Sequence, residues 1–276
     1  MDLGPFDLAG GPFLKLYAVL FVLTLIAGLA IPRWLKPDGN DGRVDDADSL
    51  AYLAGGTARF TDAVVARLLS VRALALTGKD RFHAELRNAG RTPAERSVLA
   101  IPAEPKWPAI ARVVKPHAEP IERKLVAGGL LMDRATLWQM RFWQTSPWLL
   151  LFVFGAIKWK VGEMRHRPVG ILTAFLIVTL VFALIRFIAV DRRTRGGVVA
   201  LQTARDRSAR LRRAPTAPET DLAVALFGTV VLVGSGWDGF HKLRTASSGD
   251  SGGSSSDGGG GGGGCGGGGC GGCGGG

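Results

Sequence analysis

Two long apolar runs limit this chain more than any other feature. Phe13–Ile31, FLKLYAVLFVLTLIAGLAI, contains one charge, Lys15, near enough to its end to snorkel toward water. Gly170–Val190, GILTAFLIVTLVFALIRFIAV, also contains one charge, Arg186, near its far end. At about 1.5 Å per helical residue, each run reaches across a hydrocarbon layer roughly 30 Å thick. The first run competes with a signal peptide. It is preceded by the acidic, proline-containing MDLGPFD rather than a basic region, and no A-x-A site follows Ile31, so a retained anchor is expected.

A third apolar stretch, Trp148–Ile157, is short by itself. Extended to 142–161 it becomes a span with Trp143, Trp148 and Trp159 as interfacial anchors, joined to the 170–190 span by a tight hairpin through KVGEMRHRPVG. Leu222–Val233 is too short to cross and suits an interfacial or buried helix. The expected fold is therefore a mainly α membrane protein with transmembrane helices at 13–31, 142–161 and 170–190. A short segment, 1–12, precedes them. A linker (32–48) and a soluble helical domain (49–141) lie between the first two spans. A basic helical segment (191–244) with an apolar interfacial helix near 222–233 follows the third, and a Gly/Ser/Cys-rich tail (245–276) ends the chain.

The formal charge of +11 suggests either nucleic acid or anionic lipid as a partner. Its placement beside the apolar runs favours the lipid bilayer. With the N-terminus outside, the inner side carries Arg33, Lys36, Arg43, Arg134, Arg141, Arg192, Arg193, Arg195, Arg205 and Arg207. The outer side carries Lys15, Lys158, Lys160, Arg165 and Arg167. This arrangement makes the domain and the tail cytoplasmic in a bacterial inner membrane. The basic hairpin pulls the other way, and a fourth crossing at Leu222 would move the tail outside.

The segment between the first two spans reads as helices with turns. PDGNDGRVDDAD is a loop, and Ser49 or Asp48 is placed to cap SLAYLAGG, which Gly55-Gly56 ends. Thr57 opens ARFTDAVVARLLSVR, where Phe60, Val64, Val65, Leu68 and Leu69 keep helical spacing. ALALTGKDRFHAEL reads as a β-hairpin turning near Gly78-Lys79. Thr92 and Glu95 form a capping box ahead of a helix. Further helices are expected near Trp107–Val114 and Ala118–Ala127, and LLMDRATLWQMRF reads as a second hairpin. A shift of 56 residues aligns Ala66–Leu69 with Glu122–Leu125 and Leu74–Leu76 with Leu130–Met132. Two readings stand: tandem winged-helix-like units, or an ordinary helical bundle with irregular turns. Arg59, Arg67 and Arg72 lie beside Asp62, and Arg123 and Lys124 beside Glu119 and Glu122. That mixture reads as solvated surface and not as a phosphate track, so no nucleic acid is expected and a protein partner of residues 37–147 is.

Chemistry-bearing patterns are few. His83, His117, His166 and His241 make no H-x-x-x-H or H-E-x-x-H spacing, and there is no nucleophile elbow or P-loop. Asp45, Asp46 and Asp48 cluster in a loop where solvation is their ordinary fate. The last 25 residues hold 18 of the 40 glycines and all three cysteines, Cys265, Cys270 and Cys273. No core forms from such a tail, and with no cysteine ahead of it the folded part has no disulfide. The C-x4-C-x2-C thiols are the only candidate ligands, for zinc or copper, and they lack an evident fourth partner and a scaffold. No catalytic residue and no resident cofactor are expected.

Several short motifs carry a resemblance: Ala51-Tyr52-Leu53-Ala54-Gly55-Gly56, Thr92-Pro93-Ala94-Glu95-Arg96, Arg167-Pro168-Val169-Gly170, Arg193-Thr194-Arg195-Gly196, Val224-Ala225-Leu226-Phe227-Gly228 and the Gly/Cys tail. In this order the chain resembles a family of bacterial, largely actinobacterial, membrane proteins defined by a "near uncomplexed cysteine" domain. The resemblance implies a multi-pass membrane location and brings no activity, catalytic residue or cofactor. A metal role implied by it would fall only on Cys265, Cys270 and Cys273. The expected function is that of a non-enzymatic partner-binding or scaffold protein, the alternative being thiol or metal handling through the tail.

Overall fold

Helix α1 (Gly10–Leu35) and helix α6 (Gly170–Ile188) absorb the two apolar runs, and each is long and apolar enough to cross a membrane. The computed structural model describes residues 10–250 apart from 41, 79, 165–169 and 214; for 32, 33 and 248–250 only the backbone is described. Of the loop expected to join the second and third apolar segments, residues 165–169 lie outside the described residues, and 160–164 are helical.

Helix α5 (Arg134–Met164) packs against both α1 and α6. It begins eight residues earlier than the expected 142–161 segment, because the Asp133 carboxylate accepts the Thr136 amide at 3.2 Å and starts the helix there. Pro147 lies inside α5 and cannot donate to the Trp143 carbonyl. The Ser146 hydroxyl donates to that carbonyl instead, at 3.1 Å, and the helix continues. Gly155 sets how closely α5 meets its neighbours. A Cβ there would stand 2.7 Å from Tyr17 Cε2 and 2.9 Å from Leu176 Cδ2. Around it Phe13, Tyr17, Leu151, Leu172 and Leu176 are buried, and Trp148 stacks on Phe182 with ring centroids 5.3 Å apart.

The remaining elements build one helical domain. Helix α2 (Ala47–Ser70) is capped by Asp46, whose carboxylate accepts the Ser49 amide, so the helix starts two residues before the Asp48 or Ser49 start read from the sequence. It is broken at Gly55-Gly56, where Gly56 adopts φ +62° and ψ −153°, a conformation open essentially to glycine. Strands β1 (Leu74–Thr77) and β2 (Arg81–Ala84) form the expected hairpin with Leu74 opposite Ala84; Lys79 lies outside the described residues. Helix α3 (Pro93–Leu99) carries the complete Thr92–Glu95 capping box.

Helix α4 (Trp107–Ala127) is one helix where the sequence suggests two. Pro116 and Pro120 lie on its exposed face, so water can serve the carbonyls they leave unpaired. The second hairpin is absent. Leu130, Leu131 and Met132 are buried, Leu131 bridges to Arg193, and α5 follows at once. Tandem winged-helix-like units are thereby excluded, since the second copy lacks its wing.

After α6 the chain returns to the same core. Helix α7 (Arg195–Arg207) is capped by Thr194. Helix α8 (Thr220–Phe227) buries Ala223, Val224, Ala225 and Leu226 against α2, and Ala223 and Ala225 are small enough for close approach. Helix α9 (Asp238–Asp250) inserts Phe240 beside Phe82 and Trp107. The segment near 222–233 is therefore core and not an interfacial helix. Its buried residues, Ala223 to Leu226 and Leu232, serve a domain that the sequence reading confined to 49–141. That domain is discontinuous, drawing on residues both before α5 and after α6.

Three chain passages meet where this domain joins the long helices. The Arg195 and Gly196 amides donate to the carbonyls of Pro37 at 2.9 Å and Asp38 at 2.7 Å. Thr194 donates from its amide to Leu130 at 3.1 Å, and the Met132 amide donates to Arg192 at 2.8 Å. Glycine makes this collar possible: a Cβ on Gly197 would stand 2.1 Å from the Leu130 oxygen, and one on Gly196 2.3 Å from the Asn40 oxygen. Gly197→Val is expected to lower stability by about 1–3 kcal/mol or more through overpacking. Gly236→Ala, whose Cβ meets nothing within 4 Å, should change it by no more than about 0.5 kcal/mol. Thermal unfolding of the two purified variants checks the contrast.

Candidate functional site

The domain's charged residues are organised around α2. The Arg67 guanidinium faces three carboxylates: Asp48 at 2.9 Å, Glu95 at 2.5 Å and Asp221 at 3.4 Å. These come from the start of α2, from α3 and from α8, so one arginine joins three elements. Glu95 itself is almost wholly buried and also accepts the Arg91 and Thr92 amides. Burial pushes the Asp48 carboxyl above the usual aspartate range, and Arg67 pulls it back only in part.

On the opposite face of α2, Asp62 pairs with Arg244 of α9 at 2.6 Å. Burial pushes the Asp62 carboxyl upward against the pull of Arg244. The Arg244 guanidinium also lies 4.1 Å from the centroid of Trp107, giving α9 both an ionic and a cation–π anchor. Two more arginines grip the broken middle of α2. Arg193 donates to the Ala54 carbonyl beside the kink, and Arg59 donates to the Val224 carbonyl of α8 at 3.3 Å. At the collar, Glu122 accepts from Tyr52 at 2.7 Å and from Arg192 at 2.5 Å. The Tyr52 hydrogen bond, followed by Arg192, holds the Glu122 carboxyl below the usual glutamate range.

Asp62, Arg59 and Arg67, read from sequence as solvated surface, are thus turned inward to partners more than 150 positions away. Of the acidic loop, Asp46 caps α2 and Asp48 meets Arg67, while Asp45, paired with Arg43 at the surface, stays exposed as expected. Arg72, Glu119, Arg123 and Lys124 keep the exposed positions expected of them. The inward pairs had one sequence signal, charged residues at helical spacing among apolar ones. That signal names no partner.

Chemical capacity is limited by how these groups are occupied. His83 lies 3.8 Å from Glu104, and His241 shares a hydrogen bond with Thr229 at 3.1 Å. Ser97 and His117 approach to 2.8 Å, a distance suited to a nucleophile and its base, but they sit on the outer faces of α3 and α4 and line neither cavity described next. Among the described residues no cluster of His, Cys, Asp and Glu is placed to hold a metal. His166, Cys265, Cys270 and Cys273 lie outside the described residues. A cavity of about 190 Å³ lies between 42–45 and α7. A larger one, about 570 Å³, is lined by Leu69, Leu74, Leu76, Leu86, Trp237 and Phe240.

No family model, curated protein or solved structure matches the chain. Arg193 reaches Ala54, Arg67 reaches Glu95, and Gly228, with φ +86°, lies against the Arg59 guanidinium.

Replacing Arg67 by Met leaves three carboxylates facing one another, and removing one partner of a buried ion pair costs about 3–5 kcal/mol. A fall in urea midpoint of that order is expected for Arg67→Met and a much smaller one for the exposed Arg123→Met. The pH dependence of Glu122 has a definite sign. Its folded pKa is depressed, so its stabilisation is present above the ordinary glutamate range and is lost as pH falls through the lower folded value. The stability gap between wild type and Glu122→Gln, read by urea unfolding, should be largest near neutrality and close on acidification through that window.

Proposed function

We propose that the chain is a three-span, non-enzymatic protein of a bacterial inner membrane, whose discontinuous domain binds a protein partner on the cytoplasmic face. The observation that carries this reading is the packing of α8 on α2. Residues before α5 and after α6 share one core, so the chain must cross the membrane an even number of times between them. If α6 crosses, α5 crosses too.

The outward surfaces support the same reading. Only 17% of each apolar window in α1 and α6 is buried, and Leu149, Leu150, Val153 and Ile157 of α5 are exposed as well. A water-soluble chain seldom leaves so large an apolar surface uncovered. The balance of basic residues favours a domain on the inner side. The anchoring of α9 on Trp107 supports a chain that stays on the domain's side through α9. Membership of the "near uncomplexed cysteine" family rests on the short motifs named above.

The partner's place is the larger cavity. Phe82 donates its amide to Pro105, and Glu85 donates to Ala73, which turns the Ala75 and Thr77 backbone toward β2. Leu76, half-buried, then presents its backbone on the edge beside the cavity, while Leu74 is buried in the core. An extended apolar segment of another protein, added as a third strand, fits an open edge next to leucine and tryptophan side chains.

Single cysteines in a cysteine-free background test the topology in intact cells with a membrane-impermeant maleimide. Positions 119 and 212 should behave alike and position 163 oppositely; opposite labelling of 119 and 212 would sink the three-span arrangement. A photo-crosslinking residue at Leu86 should trap one discrete partner, which the same residue at Arg123 does not.

A further inference from the structure

The long helices carry a polar stripe where they approach the domain. Arg141, Gln144, Thr145 and Trp148 stand at positions i, i+3, i+4 and i+7 of α5, so they share one face. Gln144, Thr145 and Trp148 are buried, at 2%, 5% and 1% exposure. Facing them, Arg186 of α6 donates from Nη2 to the Gly28 carbonyl of α1, and Gln144 donates to the Arg186 carbonyl at 3.2 Å. Trp148 Nε1 and Arg186 Nε converge over Gly28, 3.1 Å and 3.9 Å from where its Cβ would stand. Arg141 lies over the rings of Trp138 and Phe187, 5.5 Å and 5.4 Å from their centroids.

Four buried atoms in this notch have no hydrogen-bond partner: Trp148 Nε1, Thr145 Oγ1, Arg186 Nε and Arg141 Nε. Three are obligate donors, and the hydroxyl can donate as well. A buried donor without an acceptor is costly, and two guanidiniums among apolar rings also need counter-charge. The carboxylate at the end of α6, Asp191, is engaged by Lys36 at 2.8 Å and by Arg193 at 3.8 Å. Water would answer the donors but not the charge. Arg186 lies two residues from the domain-side end of α6, which is headgroup depth for a spanning helix, and both arginines are only half-buried.

We infer that this notch binds the phosphate headgroup of an anionic phospholipid from the leaflet on the domain's side. Arg186 and Arg141 neutralise the phosphate, and the Trp148 N–H and Thr145 O–H hydrogen-bond its oxygens. The lipid then bridges α1, α5 and α6 just beneath the collar. This inference rests on the three-span reading.

The full chain, purified in mild detergent and delipidated, is titrated with phosphatidylglycerol, phosphatidylcholine or inorganic phosphate and followed by native mass spectrometry and thermal shift. Carbonate extraction of cell membranes comes first. A wild-type chain released into the soluble fraction overturns the membrane reading and the site with it, whereas an integral chain with no preference for phosphatidylglycerol overturns the site alone. The wild type is expected to favour phosphatidylglycerol over phosphatidylcholine by about tenfold or more, a charge-assisted contact being worth at least that much. Arg186→Gln should abolish the preference and Arg186→Lys restore part of it. Thr145→Val removes one donor with little change of shape, and Trp148→Phe removes one together with part of its ring packing; each should weaken binding about fivefold or more, as loss of a neutral hydrogen bond does. They carry the test if Arg186→Gln fails to fold. Retention of wild-type affinity in Thr145→Val and Trp148→Phe overturns the assignment. So does its loss in a surface variant, Arg207→Gln with Arg212→Gln and Arg213→Gln, or protection by inorganic phosphate equal to that by lipid.

Discussion

Backbone hydrogen bonds at the collar join the chain leaving α1, the chain entering α5 and the chain leaving α6. Because they run between main chains, they require approaches that any Cβ would block, and Gly39, Gly196 and Gly197 supply them. Everything above the collar depends on this junction. It sets the start of α7 beside the start of the domain, and from there α8 is delivered into the groove of α2. Below it, the three long helices are held at one end and close on each other around Gly155.

The domain owes its specificity to arginines more than to apolar fit. Its core of leucine, valine and alanine provides the driving force, but such residues tolerate sliding and substitution. Arg67, Arg244, Arg193 and Arg59 each reach from one element to another, and each ends on a carboxylate or carbonyl of the distant element. A buried charge with a unique partner resists alternative packings. The same residue type plays the opposite part among the long helices, where Arg141 and Arg186 keep donors that the protein leaves unmatched. Arg67 and Arg192 face carboxylates, whereas among the described residues Arg141 and Arg186 meet rings and a carbonyl, and that difference in counter-charge separates structure from proposed binding.

Local signals were read well from sequence. The Thr92–Glu95 box, the Gly55-Gly56 break and the Leu74–Ala84 hairpin all appear, because capping, left-handed backbone and tight turns are decided within a few residues. The readings that failed required knowledge of distant contacts. LLMDRATLWQMRF has the composition of a hairpin, but Asp133 caps a helix and Leu131 takes Arg193 as its neighbour. Leu222–Val233 has the look of an interfacial helix because its partner, α2, begins about 170 positions earlier.

By itself the sequence determined that α1 and α6 are long apolar helices, since length and composition settle whether a helix can face lipid. It also determined that Cys265, Cys270 and Cys273 stand among glycines, a composition that offers no side chains to build a core. Only the tertiary structure decided that the residues after α6 complete the domain begun before α5. That choice rests on ion pairs such as Asp62–Arg244, whose members lie 182 positions apart, and on glycines whose value appears only when another backbone meets them. Neither leaves a local pattern, because the energy of a long-range contact belongs to two segments at once.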